Sequence, residues 1–205
     1  MSEPTVVGIA GGAGSGKDWL VSHVLQPLGF RGLGFADHFK VELIGKRLIS
    51  FEDAFVTRPP HVRNILQMRG TEFGRRIYHD DIWVETVFAD MQRLAFRWGP
   101  DFTRFVLTDC RFENEVRGVQ RLGGKVYRIN APARYAANGL TESARAHISE
   151  ALVRDGTYDH LFDGVIENDF AVQDSTAARF TELLVTQGVI AESVLARPPH
   201  AGMTL

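Results

Sequence analysis

At 205 residues, 44% of them hydrophobic and 23% charged, the chain is long enough for one α/β domain with a sizeable core. Its formal net charge of -2 speaks against a dedicated nucleic-acid binder, which carries a basic excess, and against attachment to an anionic membrane. A single cysteine, Cys110, excludes an intrachain disulfide and suits a reducing cytosol. Met1-Ser2-Glu3-Pro4 lacks the basic and apolar regions of a signal peptide, and no apolar run is long enough to span a bilayer, so a cytoplasmic protein is expected.

In chain order, residues 5–10 form a short apolar run that ends in glycines and predict a buried strand. A helix over 17–28 follows, then a glycine-containing strand over 32–36. Asp37 is a good N-cap for a helix over about 39–48. Helices are expected over 61–73 and 80–98. In the second, Trp83, Val84, Val87, Met91, Leu94, Ala95 and Trp98 recur at helical spacing and mark a core face. A strand over 104–110, a helix over 114–122 closed by Gly123-Gly124, a strand over 125–130, a strand over 164–167 and a helix over 175–187 complete the pattern. The tail after about Ala196, with Pro198-Pro199, is expected to be loose. Strands alternating with helices imply right-handed crossovers and a parallel sheet, with ligands at the carboxyl ends of the strands. The places to search are therefore residues 11–18, Asp37, residues 109–111, the segment from Ala131 and Asn168.

Gly11-Gly12-Ala13-Gly14-Ser15-Gly16-Lys17 matches the phosphate-binding pattern G-x-x-x-x-G-K between a strand and a helix. Glycines let successive backbone N–H groups converge on phosphate oxygens, and the helix N-terminus adds partial positive charge. Lys17 supplies a full charge near the β/γ bridge of a nucleoside triphosphate, and without ligand it is expected to face solvent. The next position usually carries a hydroxyl for Mg²⁺; here it is Asp18. That carboxylate either holds hydrated Mg²⁺ or only favours the first helical turn.

Residues 105–109 form an apolar strand ending in an acid. Asp109 could orient Mg²⁺ through water, and Cys110 stands where a hydrolase would carry a water-activating glutamate. This favours transfer to a bound acceptor. Arg111 would point toward the transferring phosphoryl group or the acceptor phosphate. The bland alternative makes Asp109 the cap of the next helix and pairs Arg111 with Glu115. Five arginines (Arg58, Arg63, Arg69, Arg75, Arg76) lie between Thr57 and Arg76 against one acid, Glu72, a local excess that suggests an anionic ligand. Lys40 follows Asp37 by one turn and could reach the site. Arg128, Arg134 and Arg145 flank a stretch rich in Ala, Asn and Gly, which reads as a lid or a plain surface loop. His147, Ser149 and Glu150 form a polar group without zinc-ligand spacing, suited to lid docking or helix capping.

Several segments together resemble the deoxynucleoside monophosphate kinases of tailed bacteriophages. These are Gly16-Lys17-Asp18, then Phe35-Ala36-Asp37-His38-Phe39-Lys40, then residues 66–75, Asp81-Ile82-Trp83-Val84, residues 108–115, Gly123-Gly124, His147-Ile148-Ser149-Glu150 and Asn168. Gly-Lys-Asp is usual in that family, but the Thr that usually follows is here Trp19. Animal-type phosphomevalonate kinases resemble the same loop. The resemblance implies a P-loop NTPase-type three-layer α/β fold with a five-stranded parallel sheet, like that of nucleoside monophosphate kinases. It implies one kinase domain over 1–195, with acceptor-binding helices over about 50–98, a lid over about 131–149 and a tail over 196–205. The implied reaction moves the γ-phosphoryl group of ATP to a deoxynucleoside monophosphate, with Mg²⁺ held by Asp18 and Asp109 through water. Lys17, Asp109 and Arg111 would be catalytic, and residues Gly11, Gly12, Ala13, Gly14, Ser15, Gly16, Lys17 and Asp18 would bind ATP. Asn168 would sit in the loop around the adenine. Asp37, Lys40, Arg69, Arg75, Arg111 and Glu115 would bind the acceptor, and Trp83 would stack on its base or be core. Arg134, Arg145, His147 and Glu150 would belong to the lid. A non-catalytic ATP-binding switch is the alternative from another class, and a homodimer stays open.

Overall fold

The computed structural model describes residues 4–99, 102–137, 142–168 and 173–195. Five strands, β1 (Thr5–Gly11), β2 (Arg31–Leu33), β3 (Arg104–Cys110), β4 (Lys125–Asn130) and β5 (Gly164–Glu167), form one sheet in the order β2-β3-β1-β4-β5. Every pairing is parallel. The strand period of two sorts side chains onto two faces. Val6, Ala10, Phe105, Leu107 and Val126 point into one core, while Val7, Ile9, Val106, Tyr127 and Ile129 point into the other.

Helices cover both faces, giving three layers. On the first face lie α2 (Asp37–Gly45), α4 (Ile82–Trp98) and α5 (Glu113–Arg121), through Phe39, Trp83, Val84, Val87, Met91, Val116 and Val119. On the second lie α1 (Lys17–Leu20, continuing as a wider π turn over Val21–Leu25) and α9 (Gln173–Thr186), through Leu20, Val24, Leu25, Phe180 and Leu184. A smaller apolar cluster of Leu43, Ile49, Ala54 and Val62 ties α2 to α3 (Pro60–Gln67). The helix α3 runs on as a π-type segment, Met68–Arg75. The chain also forms α6 (Pro132–Ala137), α7 (Glu142–Ala146), α8 (Ala151–Arg154) and α10 (Glu192–Leu195).

All five expected strands are present, but β2 is three residues long, because Gly34 already belongs to the turn before α2. Asp37 is not the N-cap: Ala36 holds that position, and the Asp37 carboxylate accepts the Gly34 N–H at 2.7 Å. The core face read along α4 ends at Met91; Leu94 packs at the core's edge and Trp98 is 61% exposed. A π turn over Asp53–Thr57 has no counterpart in the sequence reading. The expected loose tail over 196–205 lies outside the described residues. Among the described residues no helix is long and apolar enough to cross a membrane.

Candidate active site

The loop from β1 to α1 is set by backbone geometry. Gly14 and Gly16 adopt left-handed φ values of 79° and 87°, which cost an L side chain about 1–2 kcal/mol. The Ser15 N–H closes the turn onto Gly12 O at 3.1 Å. Asn168, at the end of β5, donates from Nδ2 to Ser15 O at 2.7 Å and takes the place a Cβ on Gly16 would need. Tyr135 of α6 does the same at Gly12, so its ring lies directly on the loop. Arg134 also reaches Gly16: its Nη1 would be 3.3 Å from a Cβ there.

Lys17 is 7% exposed, not solvent-facing as expected, because α1 enters the core at once. Burial pulls its pKa down, opposed by Asp18, whose Oδ1 lies 3.5 Å from Nζ. Arg111 and Arg58 push it down further. A desolvated ammonium among other cations is a site prepared for anionic oxygen. The buried Ser15 Oγ and Asn168 Oδ1 have no hydrogen-bond partner among the described residues, so both have capacity left for a ligand. Loop, lysine and these two atoms fit a nucleoside triphosphate.

Asp109, at the end of β3, accepts from Phe35 N (2.7 Å) and Ala36 N (3.1 Å). It thus ties β3 to the turn before α2 and does not cap α5. That capping falls to Glu115, whose Oε2 accepts from Arg111 N (2.7 Å) and Phe112 N (3.1 Å). Glu115 also pairs through Oε1 with Arg75. Burial raises the Glu115 pKa to about 7, with Asp109 adding to the rise and Arg75 opposing it. Arg111 meets the Glu115 side chain through its backbone N–H only. Its guanidinium pairs with Glu150, 2% exposed, at the far end of the segment after β4. Burial would lower the Arg111 pKa, but Glu150 and Asp109 outweigh it and raise it.

These groups line one cleft together with side chains of α2, the α3 segment, α4 and α5. Six cationic side chains and four carboxylates line it, a surplus of positive charge inside a net-acidic protein. Phe39, Leu66 and Trp83, which belong to one apolar cluster, also line it, with Gln67 and Thr71 as polar groups. Trp83 is both lining and core: it packs on Phe39 with ring centroids 4.8 Å apart and donates from Nε1 to Gly70 O at 2.8 Å. Lys40 lines the cleft and is paired with Asp37 at 2.9 Å. Arg69 is outside the lining, held by Glu42 at 2.7 Å. Arg145 donates to Ala136 O at 3.1 Å and covers the Tyr135 ring. His147 accepts the Ser149 N–H at 3.2 Å and so caps a short turn leading to Glu150.

The sequence reading set Arg58 and Arg63 within the basic run without singling them out; both line the cleft. It missed Tyr135 altogether, since nothing in an Ala-rich stretch marks one aromatic as a loop contact. As for a metal, no group of three or more His, Cys, Asp or Glu gathers among the described residues. Mg²⁺ needs only one or two carboxylates beside phosphate oxygens and water. Asp18 is open to solvent, its side chain 68% exposed beside Lys17. Each Asp109 oxygen already accepts a backbone N–H, which suits contact through water.

A five-stranded parallel sheet with a glycine loop and buried lysine after its central strand defines a P-loop kinase fold. Solved structures of that fold superpose on it: TT1252 from Thermus thermophilus (TM-score 0.59, 18% identity, 91% of this chain and 98% of that one) and dephospho-CoA kinase from Campylobacter jejuni (0.50, 16%, 91% and 99%). Shikimate kinase from Aquifex aeolicus also superposes (0.50, 10%, 90% and 98%). No protein-family model matches the chain. A protein of Acanthamoeba polyphaga mimivirus named "Putative deoxynucleotide monophosphate kinase" is 30% identical over 144 residues, 62% of this chain and 74% of the viral one. By that relationship the chain belongs to the deoxynucleotide monophosphate kinase family, and it is a kinase. The relative's source bears on the kinase family and not on a bacteriophage origin of this chain.

Proposed function

We propose that the chain transfers the γ-phosphoryl group of ATP to a deoxynucleoside monophosphate, giving the diphosphate and ADP. The observation that carries this is the cleft: one lining joins Lys17, where the γ-phosphate would lie, and the cations Arg58, Arg63 and Arg111 to the apolar side chains Phe39, Leu66 and Trp83. Cationic and aromatic side chains in one lining suit a phosphate joined to a base. The name of the viral relative supports the same acceptor.

An oxygen of the acceptor phosphate attacks the γ-phosphorus in line, the bond to the β–γ bridging oxygen breaks, and ADP leaves. The attacking oxygen is already anionic, so no side chain has to take a proton. The residues position and neutralise. Loop amides and Lys17 hold the triphosphate, while Arg111, fixed by Glu150, faces the space between donor and acceptor. Mg²⁺, held through water by Asp18 and Asp109, would supply further neutralisation of the β- and γ-phosphates. Within the lid over about 131–149, Arg134 at Gly16 and Tyr135 on Gly12 would close the donor side against water.

The test is ADP release from ATP with a panel of nucleoside and deoxynucleoside monophosphates, plus phosphomevalonate. Turnover with a deoxynucleoside monophosphate is expected. Turnover with phosphomevalonate alone would replace the acceptor, and ATP binding without any acceptor-dependent turnover would make the protein a switch.

A further inference from the structure

We infer that Arg63, with Arg58 beside it, is the clamp for the acceptor's phosphate, in place of Arg69 and Arg75. This rests on the acceptor reading above and names the residues that hold its charge.

Every other cation of the acceptor side is engaged. Arg75 spends its guanidinium on Glu115, on Asp80 O at 2.6 Å and on Asn114 Oδ1 at 3.3 Å. Drawing it onto a ligand would leave the buried Glu115 carboxylate without its counter-ion, which is costly. Arg69 is held by two bonds to Glu42, outside the cleft. Lys40 is held by Asp37, and Arg76 pairs with Glu72 on the surface.

Arg63 differs. It projects from α3 into the cleft lining and has no carboxylate partner within ion-pair distance among the described residues. Burial lowers its pKa, and Arg111 and Arg58 lower it further, with Glu150 opposing. Arg58, Arg63 and Arg111 line the same cleft, and of the three only Arg111 has a carboxylate within ion-pair distance among the described residues, Glu150. Arg58 makes one neutral contact, to Phe55 O at 3.3 Å, and holds a left-handed φ of 47° just before Pro59-Pro60. An arginine kept in a conformation that favours glycine, and turned into a cleft, is strain with a use. Like charges gathered this way repel one another until an anion arrives. A phosphomonoester dianion beside Arg58, Arg63 and Arg111 settles that repulsion, and Lys17, in the same lining, would hold the γ-phosphate that is transferred to it.

The experiment measures steady-state kinetics with a deoxynucleoside monophosphate that the wild-type protein turns over, together with binding of that monophosphate and of its parent deoxynucleoside. Arg63→Ala is expected to raise the acceptor KM about 10- to 100-fold, the usual cost of losing a charge-assisted contact, with the KM for ATP little changed. Monophosphate binding should weaken while deoxynucleoside binding stays as in wild type, a split that a structural role for Arg63 would not produce. Arg63→Lys should recover part of the loss, Arg58→Ala should show a smaller rise, and the surface variant Arg76→Ala should match wild type. Arg63→Gln, which keeps the stem, asks the same question if Arg63→Ala melts early. A folded Arg63 variant with wild-type acceptor KM overturns the assignment alone. Absence of turnover with every deoxynucleoside monophosphate in the wild-type protein overturns the acceptor reading and the assignment with it.

Discussion

The proposed donor and acceptor halves of the site are built by different means. The donor half is backbone: a contiguous loop whose left-handed glycines, closing hydrogen bond and contact with Asn168 fix where N–H groups point. The proposed acceptor half is side chains brought from several separate elements: Lys40, Arg75 and Arg111 are each placed by the carboxylate they meet, while Arg58 and Arg63 meet none among the described residues. A site of the first kind follows from local sequence. A site of the second kind is decided by which opposite charge the fold brings within reach, so identical residues six positions apart take opposite roles: Arg63 faces the cleft and Arg69 faces Glu42.

The largest effect should come from the donor half. Lys17→Ala is expected to cut kcat/KM for ADP release at least ~100- to 1000-fold, in line with removal of one preorganised charge contact to a transition state. Stability should not fall, because the wild-type ammonium is desolvated and its pKa already lowered. Wild-type-like turnover in a folded Lys17→Ala protein would remove the loop from the mechanism and the contrast with it. Gly16→Ala comes next. The left-handed φ costs about 1–2 kcal/mol, and the new methyl falls where Asn168 Nδ2 now lies. Chemical denaturation should show the lost stability, and ATP titration should show weaker binding with the acceptor's own affinity nearly kept. Equal losses on both sides would mean that the halves are not separable.

The contrast also explains how much could be read in advance. All five strands and the phosphate loop were legible because buried apolar runs and glycine spacing are local signals. The edge strand β2 was overestimated, since it pairs on one side only and yields to the turn fastened by Asp37 and Asp109. The segment Met68–Arg75 reads as ordinary helix, yet it widens to π geometry where Gly74 lets the Trp83 ring lie against the backbone. The ring's position comes from α4, which no local pattern in 68–75 can report. Glu115 and Glu150 were legible as acids near the site, but not as the partners of Arg75 and Arg111, because those contacts join residues about forty positions apart.

The smallest effect tests the acceptor half through Glu115 and pH. Its carboxyl has a pKa raised from 4.5 to about 7, first by burial and then by Asp109, with Arg75 opposing. A raised carboxyl binds a proton in the folded chain that the unfolded chain has already released. The stability it adds is therefore fully present below the unfolded value and is lost as pH rises through the folded one. Glu115→Gln stays neutral and keeps an oxygen for the Arg111 and Phe112 N–H groups, so this part of the pH dependence should vanish. Between about pH 5 and about pH 8, the difference in unfolding free energy between the two proteins should shift in favour of the glutamine variant. Urea denaturation at the two pH values measures it. At the lower pH the variant should be the less stable of the two, because its amide NH2, a donor, then faces the Arg75 guanidinium where protonated Glu115 still offers an oxygen. A difference that stays constant, or that shifts toward wild type as pH rises, would mean that Arg75 keeps Glu115 ionised throughout. The acceptor half would then be held by a permanent ion pair, and its arginines would be as firmly fixed as the donor loop.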